Sequence, residues 1–342
     1  MTNDILDQER QALVELTDDL LGRHCDLDHL RARLDEGTAH TPQLWARLTE
    51  TGLVSALVPE EHGGAGLAPA YLSGVLHSLG RHAVPEPYLE TAVVATAVLG
   101  ALPGAEAATW LQRIAAGEAL VAVRIGDLTP YVAHAADADL LLDLADDGAI
   151  RGYAPADLDV EPVAALDPLR PLARVGLRGG GVLLGRSAEV VARARTLAVA
   201  GTACLLAGAS RRLLDLTVEY VAMRQQFGRP VGSFQAVKHK AADMAVMVDM
   251  ATAAALSAFD AVDEPDAFRR AAAAKAYAGD AAHLANVEAL QLHGGIGFTW
   301  EYHLHIWLKR VMGLAASYGT TATLRRTLAR ELLASVEEVR RG

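Results

Sequence analysis

Apolar residues along this chain fall into two rhythms. Up to about residue 117, and again from Ser187 onward, they recur at the three-and-four spacing of helices. Between those regions, short apolar runs are separated by Asp, Gly and Pro, which is strand-and-turn punctuation. Ile5, Leu6, Leu13, Leu16, Leu20 and Leu21 form the first helical pattern. Thr41-Pro42, a capping residue before a first-turn proline, opens a second helix through Leu44, Trp45 and Leu48. The segment from Leu57 to Gly66 then interrupts the pattern, because its glycines stop a helix and allow close backbone approach. A helix restarts near Pro69 and runs to Gly80. Pro85 and Pro87 break it, and residues 89–99 read as a short helix buried in the core.

The middle of the chain predicts strands over residues 119–125, 140–144, 149–153 and 175–182, with the triple glycine Gly179-Gly180-Gly181 as a hairpin turn. From Ser187, a capping residue, a helix of about 37 residues predicts a rod roughly 55 Å long. Val190, Val191, Leu197, Leu205, Leu213, Leu216 and Tyr220 give it a broad apolar stripe, and a helix of that length needs packing partners. Ser233 is placed to cap the next helix, through Met244, Met247 and Val248 to about Ala261. Asp263 and Asp266 set up a capping box for a third, through Phe268, Tyr277 and Leu284 to Leu292. A final pair covers roughly residues 302–314 and 320–336. The expected architecture is mainly α with a small central β domain: an amino-terminal helical domain (1–117), a shortened β domain (118–185) and a bundle of long amphipathic helices (186–342).

Composition sharpens this picture at a few points. Apolar residues make up 51% of the 342 and aromatics only 5%, so the excess is Ala and Leu, which favour helix. A net charge of -11 argues against nucleic acid as a partner, since phosphate neutralisation needs a basic face. Cys25 and Cys204 stand alone, as free thiols of a reducing compartment. Acidic residues Asp4, Asp7 and Glu9 occupy the place of a signal peptide's positive region, and no uncharged apolar run reaches membrane-spanning length. The expectation is a cytoplasmic protein that does not enter a membrane. Glycine patterns for a phosphate loop or a dinucleotide-binding strand and helix are missing from the sequence.

Two segments carry more specific chemistry. Met223-Arg224-Gln225-Gln226-Phe227-Gly228-Arg229-Pro230-Val231-Gly232-Ser233-Phe234-Gln235 and Gln291-Leu292-His293-Gly294-Gly295-Ile296-Gly297-Phe298-Thr299 lie in this order between helices of suitable length. Together they resemble the acyl-CoA dehydrogenase family. Pro59-Glu60-Glu61-His62-Gly63-Gly64 is similar to that family's amino-terminal proline-glycine loop. The likeness covers both helical regions and is weak in the middle. It implies an amino-terminal helical domain, a central β domain and a carboxy-terminal four-helix bundle, assembled as a dimer or a dimer of dimers.

The resemblance also implies FAD. Arg224, Gln226, Phe227 and Gln235 would meet the pyrophosphate and adenosine of a cofactor shared with a partner subunit, and a guanidinium suits such oxygens through paired charge-assisted bonds. Gln291, Gly294 and Gly295 would complete that contact, with Thr320 on the flavin side. The family's reaction removes a proton α to a thioester and passes a hydride from the β carbon to the flavin, which requires a carboxylate base. Where the family has Glu in a Tyr-Glu-Gly-Thr turn, this chain reads Ser317-Tyr318-Gly319-Thr320. Tyr318 stands in the base position, and a phenol with a reference pKa of about 10 is a poor base near neutrality. The family's alternative base site falls at Ala198 or Val199, and a further flavin contact falls at Ala322. Asp127-Leu128-Thr129-Pro130 stands where the family has a longer flavin-ring loop.

These departures lead to the expectation of one subunit of a heteromeric α2β2 dehydrogenase. A second acyl-CoA dehydrogenase-like chain would supply the base, with acyl-CoA (a steroid side-chain thioester in the actinobacterial examples) reached through the complex. Electron-transfer flavoprotein would be the redox partner. The alternative is a catalytically silent homodimeric scaffold or acyl-CoA-binding module. Asp243, Asp249, Glu219 and Glu301 are the acids available for an unconventional base, each read first as a solvated or salt-bridged helix residue. His303 and His305 lie two apart without a third ligand, and no metal is expected.

Overall fold

The computed structural model describes residues 2–128 and 130–341, with side chains for 6–126, 128 and 130–333. Asp4, Ile5 and Asp127 of the sequence reading, and the end of its last helix over 334–336, fall outside the described side chains, and Thr129 outside the described residues. The chain divides into two units: residues up to Leu76 together with Val84–Ala198, and His77–Ala83 together with the chain from Val199 onward.

The first unit begins with α1 (Thr2–His24), α2 (Leu27–Glu36) and α3 (Pro42–Glu50). Asp26 caps α2 by accepting from the His29 amide at 2.9 Å, and Gly37, at φ 68°, ends it in the left-handed conformation that glycine adopts without cost. Thr41 holds the N-cap position of α3, but its hydroxyl does not cap the helix as expected. The hydroxyl and the amide both donate to Oε1 of the buried Glu86, at 3.0 and 2.9 Å, and His40 meets the other carboxylate oxygen. Burial alone would lower the His40 pKa; the hydrogen bond and charge of Glu86 outweigh it and raise it.

A 3-10 turn over Pro69–Leu72 leads into α4 (Ser73–Arg81). Residues Leu89–Ala95 form a wholly buried π-helix that continues as α5 (Thr96–Gly100), and α6 (Ala105–Ala115) completes the helical part. The Thr91 hydroxyl donates to the Val121 carbonyl at 3.1 Å and accepts from the Val121 amide at 2.9 Å, tying the π-helix to the first strand. Glu90 forms a buried ion pair with Arg170 at 2.6 Å.

Seven strands follow: β1 (Val121–Ile125), β2 (Val132–Ala133), β3 (Leu140–Leu144), β4 (Ala149–Tyr153), β5 (Leu158–Val163), β6 (Leu172–Leu177) and β7 (Val182–Arg186). They make two sheets, ordered β1-β3-β4-β7 and β2-β6-β5, in which, among the described residues, only β1 and β3 run parallel. Ala122, Leu141, Tyr153, Leu158 and Ala173 share a core with Val132. The expected strand over 175–182 is two strands in different sheets. The triple glycine is therefore a crossover and not a hairpin turn. Gly181 is pressed on the Tyr153 ring, where a Cβ would lie 2.6 Å from Cζ, while the Tyr153 hydroxyl donates to the Gly180 carbonyl at 3.3 Å.

The second unit is built on the part of α7 (Ala188–Met223) from Val199 onward, α8 (Gln235–Asp260), α9 (Ala267–His293), α10 (Leu304–Ala316) and α11 (Thr321–Arg341). Ser187 caps α7 as expected, accepting from the Val190 amide. However, α7 is not amphipathic through its middle. From Ala194 to Thr217 buried residues occur on every side, as in a helix surrounded by others. Gly80 and Gly208 let α4 and α7 touch backbone to backbone: a Cβ on Gly208 would lie 1.9 Å from the His77 carbonyl oxygen, and one on Gly80 2.0 Å from that of Leu205.

Ser233 does not cap α8; it sits in a 3-10 turn with its Oγ buried and unbonded, and Phe234 takes the N-cap position. Nor does Asp266 close a box on Asp263. It is itself the N-cap residue of α9, and its carboxylate takes Arg269 and Arg270. No uncharged run in α7 or α8 reaches membrane-spanning length, although each helix is long and apolar enough to cross a membrane when up to two charged residues are admitted. The apolar window of α7 is 72% buried within the protein, which accounts for its character; that of α8 is only 33% buried.

Candidate functional site

The end of α7 becomes a tight hairpin. Arg224 still donates its amide to the Tyr220 carbonyl at 2.9 Å, after which β8 (Gln225–Gln226) pairs antiparallel with β9 (Arg229–Pro230). Phe227 and Gly228 make the two-residue turn with φ values of 55° and 76°, both positive as a type I′ hairpin requires. Glycine adopts that conformation readily, but Phe pays about 1–3 kcal/mol of strain there. Burial does not compensate, since Phe227 is 89% exposed, its ring perpendicular to that of Phe234 with centroids 6.1 Å apart. The Arg229 guanidinium covers the Phe234 ring at 4.1 Å. Arg224, Gln226 and Gln235 are all exposed, and Arg224 is in no ion pair among the described residues. A flat apolar ring and an uncommitted guanidinium are thus held out together by a strained turn.

The second motif ends α9. Gln291 is exposed, and Gly294, at φ 63° and ψ -143°, has a backbone that L side chains avoid. A Cβ on Gly294 or Gly295 would meet nothing within 4 Å, so the backbone here is open to a close neighbour. His293 is buried. Its Nδ1 lies 2.7 Å from the Ala289 carbonyl, and its ring stacks on Tyr220 at 4.5 Å and tilts against Tyr302 at 5.2 Å. Burial holds its pKa below the ordinary value, so the ring is neutral with Nδ1 donating and Nε2 an enclosed acceptor. Tyr220 is one helical turn before Arg224, and this stack therefore makes the hairpin stem and the glycine motif neighbours.

The third element is the turn between α10 and α11. Tyr318 does not face an open site: it is 2% exposed, with φ 49°. Ala198 and Val199, at the alternative base position, are fully buried in α7. Thr320 is exposed, and its hydroxyl accepts from the Thr323 amide at 3.2 Å, capping α11. The other acids lie at the surface, three on helices and Glu301 in the turn before α10. Asp249 pairs with Arg211 and Glu219 with Arg212, while Asp243 and Glu301 are exposed. His305 packs edge-on to Trp300, and His303 lies between Tyr302 and Trp307.

Sequence reasoning missed the Tyr220–His293–Tyr302 stack and Lys275, which is buried on α9 with its Nζ bonded to the Gly319 and Ala315 carbonyls. A signal for Lys275 was present: a single lysine at a core-phase position of an otherwise Ala-rich stripe, Ala271, Ala272, Ala278 and Gly279.

The residues left exposed fit a dinucleotide such as FAD. Arg224 has the charge and fork geometry for a pyrophosphate, Phe227 has a free ring face, Gln226, Gln235 and Gln291 offer amides, and the space beside Gly294 and Gly295 admits an approaching phosphate. This donor set, carried on the helical second unit, has the chemistry a flavoprotein needs to hold its cofactor. Residues 7–118 match the family profile for the acyl-CoA dehydrogenase N-terminal domain, and residues 190–333 that for the C-terminal domain. The chain belongs to the acyl-CoA dehydrogenase family. It is 37% identical to the acyl-CoA dehydrogenase IpdE2 of Mycobacterium tuberculosis over 316 residues, covering 90% of this chain and 92% of that protein. Among solved structures it is similar to the ChsE4-ChsE5 complex from Mycobacterium tuberculosis, with a TM-score of 0.88 at 26% identity, covering 95% of this chain and 97% of that one. It shares its fold with the Tcur3481-Tcur3483 steroid ACAD, with a TM-score of 0.89 at 23% identity over 97% of this chain and 99% of the other.

Proposed function

We propose that this chain is the non-base subunit of a heteromeric, FAD-dependent acyl-CoA dehydrogenase of the cytoplasm. A second chain of the same family supplies the carboxylate in an α2β2 assembly. The observation that carries the reading is a contrast within one unit. Tyr318, at the base position, is shut inside the protein, while Arg224, Gln226, Phe227, Gln235, Gln291, Gly294, Gly295 and Thr320 all stay exposed. A family member acting alone would need the reverse at residue 318, an accessible carboxylate beside the substrate's α carbon.

In this reading Arg224 neutralises the pyrophosphate, Phe227 stacks on the adenosine end, the Gln291–Gly295 backbone lies along the phosphates and Thr320 contacts the flavin side. Bound FAD supplies the hydride acceptor for α,β-dehydrogenation of the thioester. The role of this chain's residues is to hold and orient; it moves no proton at residue 318. The half-exposed apolar face of α8, with Val246 and Met250, and Val287 on α9, supports a partner chain packed along the bundle. The likeness to the Tcur3481-Tcur3483 steroid ACAD is the ground for a steroid-derived acyl-CoA as substrate, with electron-transfer flavoprotein as oxidant. Co-expression with family members from the same genome tests this. A stable yellow complex with dehydrogenase activity is expected, and a colourless chain that associates with none of them contradicts it.

A further inference from the structure

Lys275 is out of character with its place on α9. It is 1% exposed, and the residues one turn to either side are Ala271, Ala272, Ala278 and Gly279, all buried. Enclosing an ammonium is costly unless strong acceptors surround it. Its Nζ donates to the Gly319 carbonyl at 2.6 Å and to the Ala315 carbonyl at 3.2 Å. Ala315 belongs to the last turn of α10, where carbonyls lack intrahelical donors and the helix dipole is negative. The cation therefore closes one helix and grips the segment that follows.

That segment is strained. Tyr318 at φ 49° and Gly319 at φ 99° are consecutive positive-φ residues, and for Tyr such a backbone persists only where its surroundings over-determine it. One turn along α9, Gly279 leaves room for Thr321, since a Cβ there would lie 2.1 Å from the Thr321 hydroxyl oxygen. Lys275 and Gly279 thus hold the residues on both sides of Thr320. Thr320 itself remains exposed at the head of α11.

We propose that Lys275 is a positioning residue for the cofactor site: through the Gly319 carbonyl it sets where Thr320 and the first turn of α11 present themselves. The proposal rests on the reading of Thr320 as a flavin contact given above. Lys275 touches neither cofactor nor substrate. It fixes a turn whose shape is useful even though no carboxylate stands in it.

Two measurements test this separately. In the full chain without cofactor, Lys275→Met speeds amide hydrogen exchange at residues 319–323 by at least tenfold relative to the α7 amides; unchanged exchange there overturns the clamp. In the complex with its partner chain, titrated with FAD, Lys275→Met and Thr320→Val each weaken binding about tenfold, and the double variant is no weaker than either. Losses that multiply to about a hundredfold overturn positioning through Thr320. Lys275→Gln, which keeps a donor, falls between wild type and Lys275→Met in both assays, and it carries both if Lys275→Met does not fold. A wild-type complex that takes up no FAD overturns the cofactor role, while the exchange result still decides the clamp.

Discussion

Replacing Gly208 by Ala perturbs the helix that ends at Met223, just before Arg224. The added Cβ would lie 1.9 Å from the His77 carbonyl oxygen and 2.9 Å from the Arg81 amide nitrogen. A comfortable carbon–oxygen contact is roughly 3.2–3.5 Å, so the backbones must separate by more than about 1 Å, and neither atom can swing aside as a side-chain tip could. The opposing contact, Gly80 on the Leu205 carbonyl, lies on the same crossing and would be pulled open with it. Overpacking of this kind typically costs about 1–3 kcal/mol, and a backbone-to-backbone clash belongs at or above the upper end. The intrinsic gain of Ala over Gly in a helix offsets only about 0.5–1 kcal/mol. Equilibrium urea unfolding of the full chain is therefore expected to show a loss of about 2–3 kcal/mol. Gly22→Ala, at a helical glycine with nothing within 4 Å, should be neutral or stabilising. A Gly208→Ala chain as stable as wild type would show that α4 and α7 do not cross at this distance.

Leu213→Ala empties a fully buried position on α7 and should cost about 2–5 kcal/mol in the same assay, whereas loss near zero would reject the helix register. Phe227→Gly removes the left-handed strain at an exposed position; stability should hold or rise by about 0.4–1 kcal/mol while FAD uptake by the complex falls, and unchanged uptake would contradict a cofactor role for the ring. His293, whose pKa burial lowers from the ordinary 6.5, remains neutral in the fold while the unfolded chain takes up a proton below that value. Stability should therefore decline as pH falls below about 6.5, measured as the urea midpoint at pH 7.5 and 5.5, and His293→Leu should flatten that decline; an unaltered slope would remove His293 as its source.

The helical parts were readable because long periodic patterns leave few alternatives: Ser187 caps α7, and the pair after the glycine motif lies where spacing put it. What escaped reading depends on the third dimension. The α7 stripe understated its burial because Ala and small polar residues such as Thr202, Ser210 and Thr217 can be enclosed as readily as Leu, with Ser210 and Thr217 donating their hydroxyls to carbonyls four residues back. Ser233 and Asp266 satisfy the capping pattern locally, yet the hairpin carries Ser233 out of register and two arginines compete for Asp266. The triple glycine looked like a hairpin because a turn and a crossover use the same residues; only the pairing of β6 and β7 with different partners separates them. In the candidate site, Arg224, Phe227, Gly294 and Gly295 could be singled out from the sequence. The strain at Phe227, the His293 stack and the Lys275 grip were not, since each depends on a contact between distant segments.

Reduction of the flavin by acyl-CoA, followed anaerobically by its visible absorbance, tests the central claim most directly. The account predicts bleaching by the intact complex and none once the partner chain's carboxylate base is changed to the amide, whatever is done at Tyr318. Bleaching by this chain alone, or by a complex whose partner lacks that carboxylate, would contradict it.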